Sequence, residues 1–126
     1  MITFALTLER MAHAFARLPG LRGGERIVEA MRANPELVGG AGQTDTELMR
    51  ALPGWVAKGG AEGVICAVAP DGTAVALKTA DGTSRAQRPA LHAFLAQLAV
   101  ELPSEFQRVP VRNAHGEVVG EIVCDS

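Results

Sequence analysis

The hydrophobic period of this chain changes at Trp55. Apolar residues recur at helical spacing before Trp55, whereas three short and nearly continuous apolar runs follow it. These runs cover residues 55–58, 63–69 and 73–79. Their length and the turn residues between them predict three strands, the last two joined at Pro70–Gly72. Because the runs are apolar almost throughout, we expect a central sheet that is covered by helices.

Four segments have the apolar spacing of amphipathic helices. The first covers residues 5–18 and ends at Pro19-Gly20, the second covers about 25–33, and a short third covers 45–52. The fourth follows Ser84 and carries the strongest apolar stripe of the chain. The predicted buried positions are Leu8, Met11, Ala12, Phe15 and Leu18 in the first helix, Ile27, Val28 and Met31 in the second, and Leu91, Phe94, Leu95, Leu98, Ala99 and Leu102 in the fourth.

The third and fourth helices each begin near a pair with capping-box spacing, Thr44 with Glu47 and Ser84 with Gln87. Residues 109–123 predict a final hairpin, with strands at 109–112 and 117–123 and a turn at Asn113–Gly116. Helices, then strands, a helix and two more strands are typical of an α+β fold in which helices pack on an antiparallel sheet. We expect residues 1–126 to form a single domain or a fragment of one.

Composition excludes several classes of protein. Apolar residues make up 48% of the chain and charged residues 21%, which is typical of a globular domain and not of a disordered one. The net charge of −2 and the scattered basic residues argue against binding to nucleic acid or to anionic membranes. No apolar run approaches the roughly 20 residues of a membrane span, and Glu9 and Arg10 interrupt the N-terminal run too early for a signal peptide. We therefore expect a cytoplasmic protein.

The cysteines, histidines and serines form no readable catalytic or metal-binding motif. Cys66 and Cys124 lie outside any Cys/His cluster, so we expect free thiols in a reducing compartment rather than a disulfide or metal ligands. Ser84 and Ser104 are candidate nucleophiles, but neither begins a Ser-x-x-Lys pair or lies in a nucleophile elbow. Surface positions are expected for the three histidines, His13, His92 and His115.

A lysine and a glutamate interrupt the apolar runs where the first two strands connect, in the sequence AKGGAEG. Strand alternation places Lys58 on the same face as Val56. Gly59 and Gly60 remove side chains beside the lysine, so a ligand or another backbone can approach this strand end. A lysine there can hold a substrate carboxylate or tune a nucleophile, with Glu62 as its partner. The alternative, which the residues alone favour, is a structural Lys–Glu pair at a tight bend.

Three separated blocks of the sequence resemble the C-terminal part of the asparaginase II family, the thermolabile or rhizobial type of L-asparaginase. The blocks are MRANPELVGGAGQTDTELMRALPGWVAKGGAEGV at 31–64, VALKTADGTSRA at 75–86 and PVRNAHGEVVGEIV at 110–123. They occur in the order of the family, and the resemblance extends from about Phe4 to Val123.

The resemblance implies an L-asparagine amidohydrolase with a fold like that of serine β-lactamases and penicillin-binding proteins. In the family, a Ser-x-x-Lys pair supplies nucleophile and base, and a zinc ion held partly by cysteines lies nearby; both belong to the larger N-terminal part. Lys58 resembles the family's lysine on the strand beside the nucleophile, where β-lactamases carry Lys-Thr-Gly, and is the expected catalytic residue. The expected substrate-binding residues are Asp45, Thr46, Gly59, Gly60 and Glu62.

This sequence departs from the family pattern because it contains no Ser-x-x-Lys and because Cys66 and Cys124 do not match the zinc ligands. Two functional classes therefore remain. In one, the chain is a C-terminal fragment or one half of a split L-asparaginase, inactive alone; in the other, it is a non-catalytic remnant or interaction module. We expect no cofactor in this chain, although zinc is implied for the complete family protein. The expected partners are L-asparagine and either the N-terminal portion or a second copy, without nucleic acid or membrane.

Overall fold

The computed structural model describes residues 4–125, which contain helices, two antiparallel sheets and short 3₁₀ turns. The α-helices are α1 (Leu8–Arg17), α2 (Gly24–Ala33), α3 (Pro35–Val38), α4 (Thr44–Ala51) and α5 (Gln87–Ala96). The strands are β1 (Val56–Gly60), β2 (Val64–Val68), β3 (Ala74–Lys78), β4 (Arg108–Arg112) and β5 (Val118–Val123). The 3₁₀ turns are Leu18–Gly20, Ala61–Gly63 and Ser104–Phe106.

The first sheet is built from the three apolar runs that follow Trp55, in the order β1-β2-β3 with antiparallel pairing. In its register Lys58 lies opposite Cys66, and Cys66 lies opposite Ala76. The turn between β2 and β3 closes through a hydrogen bond from the Gly72 N–H to the Ala69 carbonyl. The three strands predicted from the sequence are therefore confirmed. The first continues through Gly59 and Gly60, so Lys58 lies in the middle of β1 and not at its end as predicted.

Helices cover both faces of this sheet, as its continuous apolar runs predicted. On one face, Val56 and Val68 are fully buried and pack with Val28 of α2 and with Phe15 of α1. The opposite face forms the larger apolar cluster, to which α4 and α5 contribute. The fully buried members of that cluster are Leu48, Ala57, Ile65, Ala67, Leu91 and Leu95. The middle strand β2 therefore lies between two cores.

The helices on the α1 face are less buried than their apolar stripes predicted. In α1, Phe15 is half-buried and Leu8 is exposed, and none of the helix's residues is fully buried. In α2, Val28 is buried, but Ile27 is 50% exposed, so its predicted burial is wrong. The reason is geometric, because adjacent positions lie about 100° apart on a helix and only one of them can point at the sheet.

The apolar stripe of the fourth predicted helix extends past the end of α5. The helix ends at Ala96, and Ala99 has φ +57°, in the left-handed region. Leu91 and Leu95 are buried as predicted, but Phe94 and Leu98 are each 44% exposed. Leu102 is buried, as predicted, but it lies in the segment beyond the helix, so helical continuation to that residue is wrong.

Neither predicted capping box forms. Thr44 is the first residue of α4 and Gln43 is its N-cap, while Glu47 accepts a hydrogen bond from the Gly42 N–H instead. Helix α5 begins at Gln87 with Ala86 as its N-cap, and no side chain caps it. Each helix begins within a few residues of the prediction, but other contacts fix its first turn.

The second sheet is a separate antiparallel hairpin of β4 and β5. Its turn is organised by Asn113, whose side-chain oxygen accepts hydrogen bonds from the backbone N–H groups of His115 and Glu117. The hairpin confirms the predicted strands, although it is not part of the central sheet. Val118 and Val119 point to opposite faces and are 57% and 63% exposed.

The architecture confirms the predicted α+β class, with antiparallel sheets and packed helices. Among the helices of residues 4–125, none has the length and apolar character that crossing a bilayer requires.

Candidate active site

A buried carboxylate joins the start of α4 to the end of β1. Asp45 is only 4% exposed. Its Oδ1 accepts a hydrogen bond from the Thr46 N–H at 2.9 Å, and its Oδ2 accepts one from the Gly59 N–H at 2.8 Å. The Lys58 ammonium lies 3.7 Å from the same Oδ2. Hydrogen bonds to a charged group are stronger than neutral ones, so Asp45 fixes the backbone at the strand end.

Two glycines leave the space that this carboxylate occupies. A Cβ at Gly39 would lie 1.9 Å from Oδ1 of Asp45, well inside van der Waals contact. A Cβ at Gly59 would lie 3.3 Å from Oδ2, which is also tight. The glycine-rich segment before α4 therefore has a steric function, since a larger residue at position 39 would displace Asp45.

Lys58 is held at the mouth of the site rather than inside it. Its side chain is 50% exposed, and its ammonium donates a hydrogen bond to the Gly59 carbonyl at 2.5 Å. Solvent screens the attraction between Lys58 and Asp45 because the lysine is half exposed. The ammonium therefore remains accessible to a ligand.

A cavity of about 210 Å³ opens beside this pair. Four of the predicted site residues line it, namely Asp45, Lys58, Gly59 and Gly60. The cavity is smaller than the roughly 300–1,000 Å³ of sites for drug-sized ligands, so its size favours a small molecule. Ser84, the candidate nucleophile without a motif, also lies on its wall.

Two predicted site residues lie outside the cavity lining. Thr46 is fully buried, and its hydroxyl donates a hydrogen bond to the Pro35 carbonyl at 3.1 Å, which ties α4 to α3. Glu62 is exposed on the 3₁₀ turn after β1, with φ +58°, and packs near Gly82. Within residues 4–125, the ion-pair partner of Lys58 is Asp45 and not Glu62.

Gln87 lines the same cavity, and sequence reasoning did not select it as a site residue. It is 4% exposed, although it was expected only to cap a helix. The signal that could have found it is spacing, because positions 87, 91 and 95 are four residues apart and therefore share one helix face. Leu91 and Leu95 on that face belong to the core, so a glutamine in line with them is a buried polar residue.

A second cavity, of about 540 Å³, adjoins the first through the shared lining residues Gln43, Thr44 and Ser84. Arg88 lies on it, donates a hydrogen bond to the Gly42 carbonyl at 2.6 Å, and stacks 5.5 Å from the centre of the Phe106 ring. The lysine cavity therefore has a neighbouring cavity whose lining includes three arginines and one glutamate, namely Arg85, Arg88, Arg108 and Glu105.

A further cavity, of about 590 Å³, lies between α5 and the hairpin. His92 and Cys124 line it, and His92 is half-buried rather than on the open surface as predicted. Among the described residues, the Cys124 thiol donates only to the Asp125 carbonyl, at 3.8 Å, and no hydrogen bond joins it to His92. This cavity therefore has no nucleophile–base arrangement.

The described residues do not fit the zinc site that the family resemblance implies. Nowhere in residues 4–125 do three His, Cys, Asp or Glu side chains come together as a possible metal site. Cys66 is buried in β2, where burial raises the pKa of its thiol, and Cys124 is exposed near the end of the chain. Both are free cysteines, and no part of the chemistry proposed below depends on a metal.

Comparison with known proteins supplies the family. The model of the L-asparaginase II family matches residues 1–124. That match spans almost all of the 126 residues, so the chain belongs to the L-asparaginase II family. A search of curated proteins found no match.

Proposed function

We propose that this member of the L-asparaginase II family takes part in hydrolysis of L-asparagine to L-aspartate and ammonia. The observation that carries the proposal is the cavity beside β1, where Lys58 and Asp45 lie 3.7 Å apart on a small polar site. An amino acid in its zwitterionic form presents one carboxylate and one ammonium group. A fixed cation and a fixed anion at this separation complement both groups.

Lys58 is the proposed catalytic residue. Its side chain is half exposed and lines the cavity, and its ammonium donates to the Gly59 carbonyl. In this position the charge can hold the substrate carboxylate and stabilise negative charge that develops during acyl transfer. Gly59 and Gly60 leave room for the substrate at the strand end.

Asp45 is proposed to position Lys58 and to attract the substrate ammonium. Both of its oxygens accept backbone N–H groups, which keeps the carboxylate in one orientation. Thr46 and Glu62 support this site indirectly, Thr46 by holding α4 on α3 and Glu62 by forming the bend that follows β1.

The nucleophile and its base are proposed to come from another polypeptide segment, because the 126-residue sequence contains no Ser-x-x-Lys. The chain then forms one wall of an amidohydrolase site, as a C-terminal fragment or split-enzyme half with a fold like part of the serine β-lactamases. An antiparallel sheet with helices on both faces supports that likeness. Two free cysteines support a reducing, cytoplasmic location.

The proposed partner is the N-terminal portion of the family protein or a second copy of this chain. Two apolar side chains are strongly exposed. Phe4, which precedes α1, is 87% exposed, and Leu37, on α3, is 86% exposed. Large exposed apolar patches commonly mark interaction surfaces. Light scattering at high concentration should show self-association, or the fluorescence of a dye that binds apolar surface should show an exposed patch. A clean monomer that binds no dye would contradict this part of the proposal.

The second candidate function is that of a non-catalytic interaction module. Its supporting observation is that Asp45 and Thr46 also have clear structural contacts, which would maintain the fold without any reaction. The two candidates differ in whether the cavity binds L-asparagine and whether Lys58 affects turnover.

The first test measures ammonia release from L-asparagine by the purified 126-residue chain against a heat-killed control. We expect no release above the control, since binding groups without an activated nucleophile form no acyl intermediate. Release that is lost in both Lys58→Ala and Ser84→Ala would contradict this expectation and would assign the nucleophile to Ser84.

The second test combines the chain with the N-terminal portion of a family member, in cis or in trans. It compares the turnover of the wild-type chain with that of the Lys58→Ala variant. We expect turnover to fall by roughly 100-fold to 1,000-fold with the melting temperature unchanged, as for loss of one preorganised electrostatic group. Lys78→Ala is the matched control, because Lys78 also belongs to a strand of this sheet and donates to the next residue's carbonyl, at 2.7 Å, but lies outside the cavity lining. Equal turnover in both variants and wild type would favour the interaction module.

A further inference from the structure

We propose that the Gln87 side chain binds a primary carboxamide group of the ligand in the Lys58 cavity. Gln87 is the first residue of α5, is 4% exposed and lines this cavity with Asp45 and Lys58. Its backbone N–H donates to the Ser84 carbonyl, but its side chain makes no hydrogen bond to any described residue. Buried glutamine side chains normally have partners, so this one requires an explanation.

The Gln87 carboxamide must open toward the cavity. Among residues 4–125, no side-chain nitrogen or oxygen is both completely enclosed and without a hydrogen-bond partner. The polar atoms of Gln87 lack a protein partner, so they are not completely enclosed. The residue itself is nine-tenths buried, and the space that it borders is the 210 Å³ cavity. Its hydrogen-bonding groups are therefore available to a molecule in that cavity.

A structural role for this glutamine has less support. Gln87 shares a helix face with Leu91 and Leu95, both of which are fully buried in the core. An apolar side chain would complete that face, whereas the Gln87 carboxamide has no hydrogen-bond partner among the described residues. Departures from such local rules are expected where a residue has a binding function.

The chemistry of the side chain selects the ligand group. A carboxamide carries an N–H₂ donor and a carbonyl acceptor, and both need partners when they are buried. A second primary carboxamide satisfies both in a reciprocal pair. A carboxylate has no N–H and would leave the Gln87 carbonyl unpaired, which is unfavourable in a buried site. Gln87 should therefore distinguish a carboxamide from the corresponding acid.

The identity of the ligand as L-asparagine rests on the proposed function, whereas recognition of a carboxamide by Gln87 does not. In the combined site, Lys58 and Asp45 hold the charged end of the amino acid and Gln87 binds its side-chain amide. The product L-aspartate carries a carboxylate at that position and should bind less well, which favours its release.

The experiment is an NMR titration of the isotope-labelled chain with L-asparagine, L-aspartate and succinamide, an uncharged molecule with two primary carboxamides. Gln87→Met replaces the carboxamide by an apolar side chain of similar length. We expect it to weaken binding of L-asparagine and succinamide by about tenfold or more, the loss for one buried polar group left unpaired. Affinity for L-aspartate should change by less than about threefold in the same variant.

Gln97→Met is the matched control, because Gln97 is the exposed C-cap residue of the same helix and lies outside this cavity. It should leave all three affinities unchanged. The melting temperature of the unliganded Gln87→Met chain should equal or exceed that of wild type, since no described residue is a partner of the carboxamide and an apolar side chain extends the buried face of Leu91 and Leu95. A clear fall in melting temperature would show a structural role and overturn the proposal.

Two further outcomes separate this inference from the proposed function. Equal weakening of L-asparagine and L-aspartate in Gln87→Met, or no binding of either carboxamide to wild type, would overturn the role of Gln87. Gln87-dependent binding of succinamide without binding of L-asparagine would support carboxamide recognition and contradict the proposed substrate.

Discussion

The β1-β2-β3 sheet and the β4–β5 hairpin are both antiparallel, yet helices cover both faces of the sheet and leave much of the hairpin exposed. Four of the five residues of β2 are buried, whereas the five residues of β4 include none. Apolar content does not distinguish the two regions, because β5 is also rich in valine and isoleucine. Packing of helices makes the difference.

Polar side chains are therefore buried in the sheet region and exposed to solvent in the hairpin. In the sheet region, Asp45 accepts two backbone N–H groups, and the cavity wall includes the unpaired Gln87. In the hairpin, Arg108 pairs with Glu121 at 2.7 Å with both side chains about half exposed. A buried polar group must have a partner or a function, whereas water can replace the partner of an exposed one. The candidate site accordingly lies in the sheet region.

The largest difference is expected between Asp45→Asn and Glu121→Gln, which both replace a carboxylate by a carboxamide. Both oxygens of Asp45 accept backbone N–H groups, so the new NH₂ group of Asn must face a donor. We expect the free energy of unfolding to fall by about 3 kcal/mol, the upper value for a hydrogen bond to a charged group. Glu121→Gln should cost at most about 1 kcal/mol, as for an exposed ion pair. Urea unfolding measures both values. Equal losses would show that the buried carboxylate stabilises the chain no more than the exposed one.

The next difference is expected between Val68→Ala and Val119→Ala. Val68 is fully buried at the end of β2, whereas Val119 is 63% exposed in β5. Removing two buried methyl groups at about 0.8 kcal/mol each, with a small cavity term, should lower stability by about 2 kcal/mol. The exposed substitution should change it by less than about 0.5 kcal/mol. A comparable loss at Val119 would indicate that a partner covers the hairpin in solution.

The reactivity of the two cysteines compares a buried position in the sheet with an exposed one after the hairpin. Cys66 is buried in β2, and burial raises the pKa of its thiol, whereas Cys124 is exposed after β5. Thiolate is the reactive form, so alkylation at about pH 8 should be at least about tenfold slower at Cys66 than at Cys124. Mass spectrometry of peptides from a time course measures the ratio. Unfolding in concentrated guanidinium chloride should bring the two rates together, and similar rates in the native chain would contradict the assigned burial.

The smallest effect concerns acid pH and the β2–β3 turn. The Thr73 N–H holds the pKa of Asp71 below its ordinary value, since this backbone group donates to the carboxylate at 2.8 Å. The resulting stabilisation is complete above the unfolded pKa of about 3.9 and is lost as the pH falls through the lower folded value. The free energy of unfolding of Asp71→Asn should therefore lie furthest below that of wild type near neutral pH, and the two values should converge in acid. Urea unfolding of both chains at each pH measures this difference, and a difference that persists unchanged in acid would contradict the assigned role of the Thr73 hydrogen bond.

Helices and strands were predictable where a clear hydrophobic period was bounded by clear turn residues. The three runs after Trp55 gave the strands of the sheet, and Asn113–Gly116 gave the hairpin turn. Burial was less predictable, as the exposed Ile27 and Leu98 show. Their apolar side chains fit a helix stripe, but the width of the face that the sheet covers is set by the packing of whole helices.

The candidate site was predictable in part. Lys58, Gly59 and Gly60 were selected from one unusual stretch, and Asp45 from the family resemblance, and the fold places all four on one cavity. Gln87 was missed because its spacing from Ser84 suggested a cap. Whether Lys58 acts in catalysis stays a prediction, for which the turnover measurement above is the test.

Local period, turn residues and ordered blocks of residues were enough to predict the α+β class, the family and the order of helices and strands, apart from the short helix α3, which was not predicted. The pairing of Lys58 with Asp45 and the separate sheet of the hairpin could be seen only in the folded chain. Asp45 and Gly59 are fourteen residues apart, yet they share a hydrogen bond at 2.8 Å. The physical reason is that such contacts depend on how α4 and α5 pack on the sheet, and local propensity carries no information about that packing.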